Sequence, residues 1–225
     1  MNEMTASQNH GFIFENEVIQ KITGMPKKEY EKLIPNGYTS PLDLHKGIGG
    51  CNFNGSIKST KSDGIGCGDI LTLIDHVSSK EFKLIIGSFK QKTKNTKSFN
   101  TVYEFFINPG TAKVILGDLY NVSEALKAIE DFDSYVKSIP KGEEAQQQNS
   151  ELWKTKRDFI KTNHDIGLLS IDAKIDSKNQ RRVQCSLKIK NLIGCGIDYI
   201  KHTVNYEGIE LPYGINSFRR SFKKS

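Results

Sequence analysis

The sequence lacks the cysteine and histidine spacing of a zinc protein. Its four cysteines form no C-x-x-C pair; they are Cys51, Cys67, Cys185 and Cys195. The five histidines are scattered and make neither an H-E-x-x-H nor a His-Asn-His spacing. Structural zinc sites and zinc hydrolases need such clusters, and four cysteines are few for a disulfide framework in 225 residues. We therefore expect free thiols in a reducing compartment.

Long apolar runs are also missing. No stretch reaches the roughly 20 apolar residues that span a bilayer, and the N-terminal segment MNEMTASQNH lacks the basic-then-apolar pattern of a signal peptide. The glycines at 47–50 and 64–68 follow neither the phosphate-binding loop nor the dinucleotide-binding pattern, and they predict turns. The expectation is a cytoplasmic protein with no membrane partner.

Positive charge is in excess, and it is unevenly distributed. The net charge is +6 at pH 7. Residues 181–225 carry nine Lys/Arg against three Asp/Glu, and residues 80–97 carry six lysines against one glutamate. Residues 118–151 are acidic, with eight carboxylates against three lysines. Basic segments separated by an acidic one indicate one polyanion-binding face, although ordinary solvated surface has the same composition.

Hydrophobic periodicity predicts a mixture of helices and strands. The expected helices span residues 12–22, 122–139 and 151–162. The expected strands span residues 55–60, 69–74, 82–90, 102–107 and 113–116, followed by a hairpin with strands at 169–175 and 183–189. A polar linker is expected at 142–150. The pattern indicates an α/β fold, with a mixed central sheet flanked by helices and a C-terminal β-hairpin and basic tail.

Asp69 and Lys90 are the leading candidates for catalysis. Asp69 opens one expected strand and Lys90 closes the next, where two-residue alternation places Ser88 on the same face as Lys90. Glu15 lies on the helical stripe that should face the core. Phosphodiester cleavage requires oxygen ligands for a divalent cation, an activated water and a positive group near the phosphate. Neighbouring strands carrying Asp69 and Lys90 would supply these groups.

The succession of these residues resembles the PD-(D/E)XK nuclease superfamily, in which a helical Glu, a strand Asp and an acid-x-Lys follow one another. The sequences around these residues are similar to those of small type II restriction endonucleases, including the enzymes of large algal viruses. The similar segments are 11–15, 55–60, 68–70 and 181–186. The resemblance implies Mg²⁺ bound by Asp69 and Glu15, with Lys90 orienting the attacking water and stabilising the pentavalent phosphorus.

One position departs from the family pattern. Ser88 stands where the second acid of the motif belongs, giving Ser-Phe-Lys. Gln91, Asp63 and Asp75 are candidates to replace that acid, as is a backbone carbonyl with Glu15 acting through water, because Mg²⁺ usually keeps several waters.

A second set of side chains is predicted to contact DNA. Arginine and glutamine pair with guanine and adenine edges, and a two-stranded ribbon fits the major groove, which favours the expected hairpin. The candidates are Lys58, Lys92, Arg181, Arg182, Gln184, Lys188, Arg219 and Arg220. Lys58, in Ser-Ile-Lys, is also a rival to Lys90 as the cation at the phosphate. The hairpin is equally compatible with a plain amphipathic edge ribbon.

Together these features predict a Mg²⁺-dependent type II restriction endonuclease that cuts double-stranded DNA at a short sequence. We interpret residues 1–225 as a single nuclease domain, with a core at about 11–140 and a DNA-binding region at about 151–225. A homodimer is expected because cutting both strands matches two-fold symmetry, and a host methyltransferase would protect the same site. The missing acid leaves open a non-catalytic DNA-binding protein on a degraded nuclease fold. An RNA-processing nuclease and an unrelated interaction protein are further alternatives.

Overall fold

The computed structural model of the chain describes residues 6–34, 40–93, 96–140, 143–175, 180–203, 211–214 and 220–221. These residues divide into two units. The first unit is drawn from Met1–Ile65, Glu81–Ile107 and Ile197–Ser225, and the second from Gly66–Lys80 and Asn108–Gly196. Each unit therefore combines segments that are distant in the sequence. The expectation of one domain over the whole chain stays a prediction.

Helices and strands are numbered in chain order. The helices are α1 (Ala6–Thr23), α2 (Lys27–Tyr30), α3 (Ile70–Ser79), α4 (Pro109–Leu116), α5 (Ser123–Ser138), α6 (Glu143–Asn163) and α7 (Ile189–Gly194). The strands are β1 (Gly55–Thr60), β2 (Gly64–Asp69), β3 (Phe82–Thr93), β4 (Thr96–Ile107), β5 (Ser170–Ile175), β6 (Arg181–Lys188), β7 (Tyr199–Thr203) and β8 (Arg220–Ser221). Three-ten turns lie at Glu31–Leu33, Gly117–Tyr120 and Pro212–Gly214.

The sheet of the first unit is mixed. Its strands lie in the order β1-β3-β4-β7, with β8 also paired to β4. β1 is parallel to β3, whereas β3 with β4 and β4 with β7 are antiparallel. The prediction of an α/β fold with a mixed sheet flanked by helices is confirmed.

Helix α1 packs closely on this sheet. Its apolar stripe, with Phe14 and Val18 fully buried, joins Ile57 of β1 and Ile85 of β3 in one core cluster. The Phe14 ring lies so near Gly87 of β3 that a Cβ added there would overlap it. The strand residue is glycine because only glycine leaves room for this approach. The close packing fixes the register of α1 over β1 and β3.

The second unit is built on a three-stranded sheet in the order β2-β6-β5. Alternation along β6 buries Val183, Cys185 and Leu187 on the face that packs against α5. Asp133 of α5, itself buried, accepts a hydrogen bond from the Val183 backbone N–H at 2.8 Å and pairs with Lys137 at 2.5 Å. This buried carboxylate joins helix and sheet at one point. The predicted hairpin is confirmed, since β5 and β6 are antiparallel partners.

Three predicted elements are wrong. Residues 70–74 form the start of helix α3. Asp69, the last residue of β2, caps this helix, since its carboxylate accepts from Thr72 N at 3.0 Å. Residues 113–116 belong to helix α4, which begins with an Asn108 capping box and proline in its first turn. Most of the expected linker at 142–150 lies within α6, since its glutamates, alanine and glutamines are good helix formers. A short apolar run does not distinguish strand from helix.

Candidate active site

A short antiparallel bridge places Asp43 beside the edge strand of the first sheet. Leu44 and Gly55 exchange backbone hydrogen bonds of 2.9 Å in both directions, and Asp43 N also donates to Gly55 O at 2.9 Å. The Asp43 Oδ2 atom then accepts from the backbone N–H of Ile57 at 2.6 Å. Hydrogen bonds to an ionised carboxylate are short and strong, so the Asp43 carboxylate is held at a defined position along β1.

Strand β1 brings a hydroxyl and an ammonium to the same carboxylate. Ser56 and Lys58 are two residues apart, so their side chains share one face of the strand. Ser56 Oγ lies 3.4 Å from Asp43 Oδ2, and Lys58 Nζ lies 3.6 Å from the same oxygen. The Lys58 side chain is 29% exposed. The lysine is therefore close to Asp43 and still accessible to a ligand.

Helix α1 contributes a second carboxylate, Glu15. Its position on the core-facing stripe confirms the helical register predicted from the sequence, and its side chain is only 16% exposed. Lys27, at the start of α2, pairs with Glu15 at 2.7 Å. The Lys27 backbone N–H donates to Asn16 Oδ1 at 3.0 Å, which fastens the start of α2 to α1. The Glu15 carboxylate is thus fixed from both helices.

Glu15 and Asp43 are neighbouring carboxylates, called here the acidic pair. Burial raises the pKa of Glu15 from 4.5 to about 7; the charge of Asp43 and a side-chain hydrogen bond to it add to the rise, while Lys27 opposes it. Two neighbouring carboxylates repel one another when both are ionised, which disfavours the charged form of Glu15. A divalent cation relieves the same repulsion.

Glu15 and Asp43 offer oxygen donors, the ligand type that Mg²⁺ takes. No three His, Cys, Asp or Glu side chains within the described ranges converge on one point, as a protein-only zinc cage would require. Mg²⁺ takes oxygen ligands, uses one or two carboxylates and keeps several of its waters. Glu15 and Asp43 would hold it, with backbone carbonyls or water completing its coordination.

The predicted pairing of Asp69 with Lys90 on neighbouring strands is wrong. Asp69 ends β2, whose partner in the described sheet is β6, while the neighbours of β3, which carries Lys90, are β1 and β4. The Asp69 carboxylate caps α3 and accepts from both the backbone N–H and the hydroxyl of Thr72. Ser88 pairs with Thr101 of β4 in the ladder, and Asp75 is an exposed residue of α3. The structure thus accounts for Asp69 as a helix N-cap.

Sequence reasoning missed Asp43, although a signal for it was present. Asp43 precedes Ser56-Ile-Lys58 in the same acid-then-Ser-x-Lys succession as Asp69 and Ser88-Phe-Lys90. The prolines around Asp43 favoured a loop, and no periodic pattern marks a single bridge between two residues. The sequence alone indicates Lys58 only as a rival to Lys90. Its alternation with Ser56 on β1 was the available clue.

The predicted DNA-contacting residues fall into three groups. Lys58 lies on β1 beside Asp43. A second group lies on β6 in the second unit and consists of Arg181, Arg182, Gln184 and Lys188. Arg182 and Gln184 share one face of that strand and line a groove. The side chains of Gln91, Lys92 and Arg220, and the whole of Arg219, lie outside the described residues.

Among the described residues, none of the helices has the length and apolar character of a membrane span. Comparison of the chain with protein-family models, with curated proteins and with solved structures gave no significant match.

Proposed function

We propose that this protein is a Mg²⁺-dependent nuclease whose centre is Glu15, Asp43 and Lys58. The observation that carries the proposal is that Asp43 has two partners: it is near enough to the half-buried Glu15 to raise the pKa of that carboxyl, and its Oδ2 atom lies 3.6 Å from the Lys58 ammonium. Phosphodiester hydrolysis requires this combination of oxygen ligands for a divalent cation and a positive group beside them.

The order of the three residues supports the same class. A helical Glu, a strand Asp and an acid-x-Lys follow one another in the PD-(D/E)XK superfamily, and here Glu15, Asp43 and Lys58 occur in that order. Ser56 stands at the place of the second acid. Its hydroxyl lies beside Asp43 Oδ2, where it helps to orient that carboxylate. The family resemblance thus applies to these positions, with one protein ligand fewer than the motif provides.

Each residue has a distinct task in the proposed reaction. Asp43 and Glu15 would hold the cation, which would supply Lewis-acid chemistry for the phosphate and for the attacking water. The Ile57 N–H and the Ser56 hydroxyl keep Asp43 in place. Lys58 stabilises the negative charge that develops on the phosphoryl oxygens. Lys27 holds Glu15 through its 2.7 Å ion pair, which favours the ionised form that a metal needs.

The proposed substrate is double-stranded DNA, cut at a short sequence. The net charge of +6 and the basic segments support a polyanionic substrate. Cleavage of both strands at a palindromic site would require a homodimer, and protection of the host would require a methyltransferase of the same specificity. This finer proposal is a cytoplasmic type II restriction endonuclease.

The test is cleavage of plasmid DNA by the wild-type protein and two aspartate variants. We expect discrete fragments with Mg²⁺ and none with EDTA. Asp43→Asn keeps an acceptor for the Ile57 N–H and should reduce the rate by about a hundredfold or more, the loss typical of removing one transition-state contact. Asp69→Asn keeps the α3 cap and should cut normally. Loss of cleavage in Asp69→Asn with full activity in Asp43→Asn would overturn the assignment.

A non-catalytic DNA-binding protein is the second candidate, because Ser56 replaces the acid that would complete the metal site. It predicts salt-sensitive binding of DNA without nicking in Mg²⁺, Mn²⁺ or Co²⁺. Structured RNA in the same assay separates an RNA-processing nuclease, which would cut it in preference to duplex DNA.

A further inference from the structure

A groove of about 510 Å³ lies within the second unit, on the polar face of its three-stranded sheet. This face is polar because the register of β5 with β6 places polar residues opposite one another. The pairs are Ser170 with Ser186, Asp172 with Gln184, and Lys174 with Arg182. Val183 and Leu187 of β6 are buried and do not line the groove, whereas Ile171 and Cys185 contribute to its lining. Arg157 and Lys161 of α6 also line the groove.

Strand β2 lines the groove with two glycines, so its backbone is not covered by side chains there. Gly66 and Gly68 line it, and a Cβ added at either position would meet nothing within 4 Å. Glycine in a strand often marks a place where another chain approaches the backbone closely. Open space above two alternate glycines lets a ligand lie against the strand itself.

The charge of the groove is strongly positive. Four cationic side chains line it against one carboxylate, Asp172, and Arg157 lies 3.5 Å from that carboxylate. Arg157 also pairs with Asp158 at 2.9 Å. Within the described residues no acceptor is within hydrogen-bonding distance of the buried Nε of Arg182. Cations gathered in a concave site focus a positive potential that favours a polyanion.

The position of β6 argues against base reading by an inserted ribbon. β6 is the middle strand of three, so Arg182 and Gln184 do not lie on a free two-stranded ribbon. Three strands spaced about 4.8 Å apart, with their side chains, are wider than a ribbon that enters a major groove of about 12 Å. A basic groove with a glycine floor instead suits the sugar–phosphate backbone of one strand, because phosphates are bound by charge without reference to sequence.

We propose that this groove binds the sugar–phosphate backbone of one nucleic-acid strand, with Lys161, Lys174 and Arg182 contacting phosphates. The choice of DNA as that nucleic acid rests on the proposed function, whereas the groove and its charge do not. Gln184 and the serines beside it supply neutral hydrogen bonds along the strand. Binding here is independent of sequence, and it holds the substrate without taking part in its cleavage.

The experiment measures fluorescence anisotropy of two labelled 30-base-pair duplexes of unrelated sequence, in EDTA, over a range of salt concentrations. Lys161 is exposed on α6, so Lys161→Gln removes one charge without disturbing the fold. The double variant Lys161→Gln with Arg182→Gln should weaken both duplexes by about tenfold. The slope of log affinity against log salt should fall by about 1 for the single variant and about 2 for the double. The matched control is Lys127→Gln on α5, outside the groove lining, with an expected change below about twofold.

An unchanged salt slope in both groove variants would overturn the proposal. So would a loss in the double variant that differs strongly between the two duplexes, since that marks base reading. Thermal melting checks that the double variant is folded, and the single variant decides the outcome if it is not. A wild-type protein that binds through the groove and never cuts would remove the proposed nuclease and leave this inference standing. A protein that cuts DNA fully but binds it independently of the groove residues would support the proposed nuclease and overturn the inference about the groove.

Discussion

Replacing Glu15 by Gln separates the energetic cost of the buried carboxylate from its proposed use in metal binding. Gln is neutral at every pH and can hydrogen-bond to Asp43 as protonated Glu15 does. In the metal-free protein, the substitution therefore removes only the penalty that the ionised form imposes. We expect a variant that is more stable than the wild type at alkaline pH and inactive in cleavage.

The magnitude follows from the pKa of Glu15, which rises from 4.5 to about 7 in the fold. A raised pKa means that the folded state prefers the protonated carboxyl. Its contribution to stability is then fully present below pH 4.5 and is lost as the pH rises through about 7. At about 1.4 kcal/mol for each pH unit between these values, the upper limit of the loss is about 3.5 kcal/mol. We expect roughly 2–3 kcal/mol above pH 8, because the side chain keeps some contact with solvent.

The assay is urea denaturation of both proteins in EDTA at about pH 5 and pH 8. Far-UV circular dichroism is the preferred signal, because the single tryptophan, Trp153, belongs to the second unit. The free energies of unfolding should differ by less than about 1 kcal/mol at pH 5 and by roughly 2–3 kcal/mol at pH 8. Glu31→Gln is the matched control, since Glu31 lies 3.6 Å from the same Lys27.

Two results would refute this reasoning. One is a Glu15→Gln variant whose difference from the wild type is the same at both pH values. The other is a variant that is less stable than the wild type at pH 8, which would mean that the ion pair with Lys27 outweighs the cost of burial. A pH-dependent gain in the Glu31→Gln control would show that the effect belongs to Lys27 and not to the acidic pair.

Three further substitutions test the packing around the two sheets by urea unfolding. Gly87→Ala should cost about 2 kcal/mol because the new methyl group overlaps Phe14; a neutral result would contradict the close approach of α1. Asp69→Ala should cost about 1 kcal/mol through loss of the α3 cap, while Asp69→Asn should change stability by only a few tenths; equal losses would contradict the capping role. Asp133→Ala leaves the Val183 N–H without its acceptor and should cost roughly 2–3 kcal/mol, and a loss within the error of the measurement would exclude that bond as a support.

The repulsion between Glu15 and Asp43 lowers the stability of the metal-free protein, and the proposed function would explain why it is retained. A carboxylate with only 16% of its side chain exposed, next to a second carboxylate, costs stability whenever both ionise. Functional sites commonly carry such costs, because the arrangement that binds a cation tightly is repulsive without it. Addition of Mg²⁺ should therefore raise the melting temperature of the wild type more than that of Glu15→Gln.

Local patterns were sufficient for much of the architecture. The stripe of α1 predicted both the helix and the inward position of Glu15, since residues three and four apart share a helix face. Alternation predicted β3 and the hairpin of β5 and β6, and with it the polar face of β6 on which Gln184 lies. These features depend on near neighbours in the sequence, which is why periodicity reveals them.

Only the tertiary structure decided which acid meets which lysine. Asp43 reaches Lys58 through one bridge between Leu44 and Gly55, and Glu15 reaches Asp43 because α1 packs on the same sheet. Asp69, in contrast, is the N-cap of helix α3. The apolar run that follows Asp69 in the sequence is equally compatible with a strand. Short polar segments carry no period, so their partners are set by packing between distant segments, and the chain order alone leaves two matching sets of acid, serine and lysine.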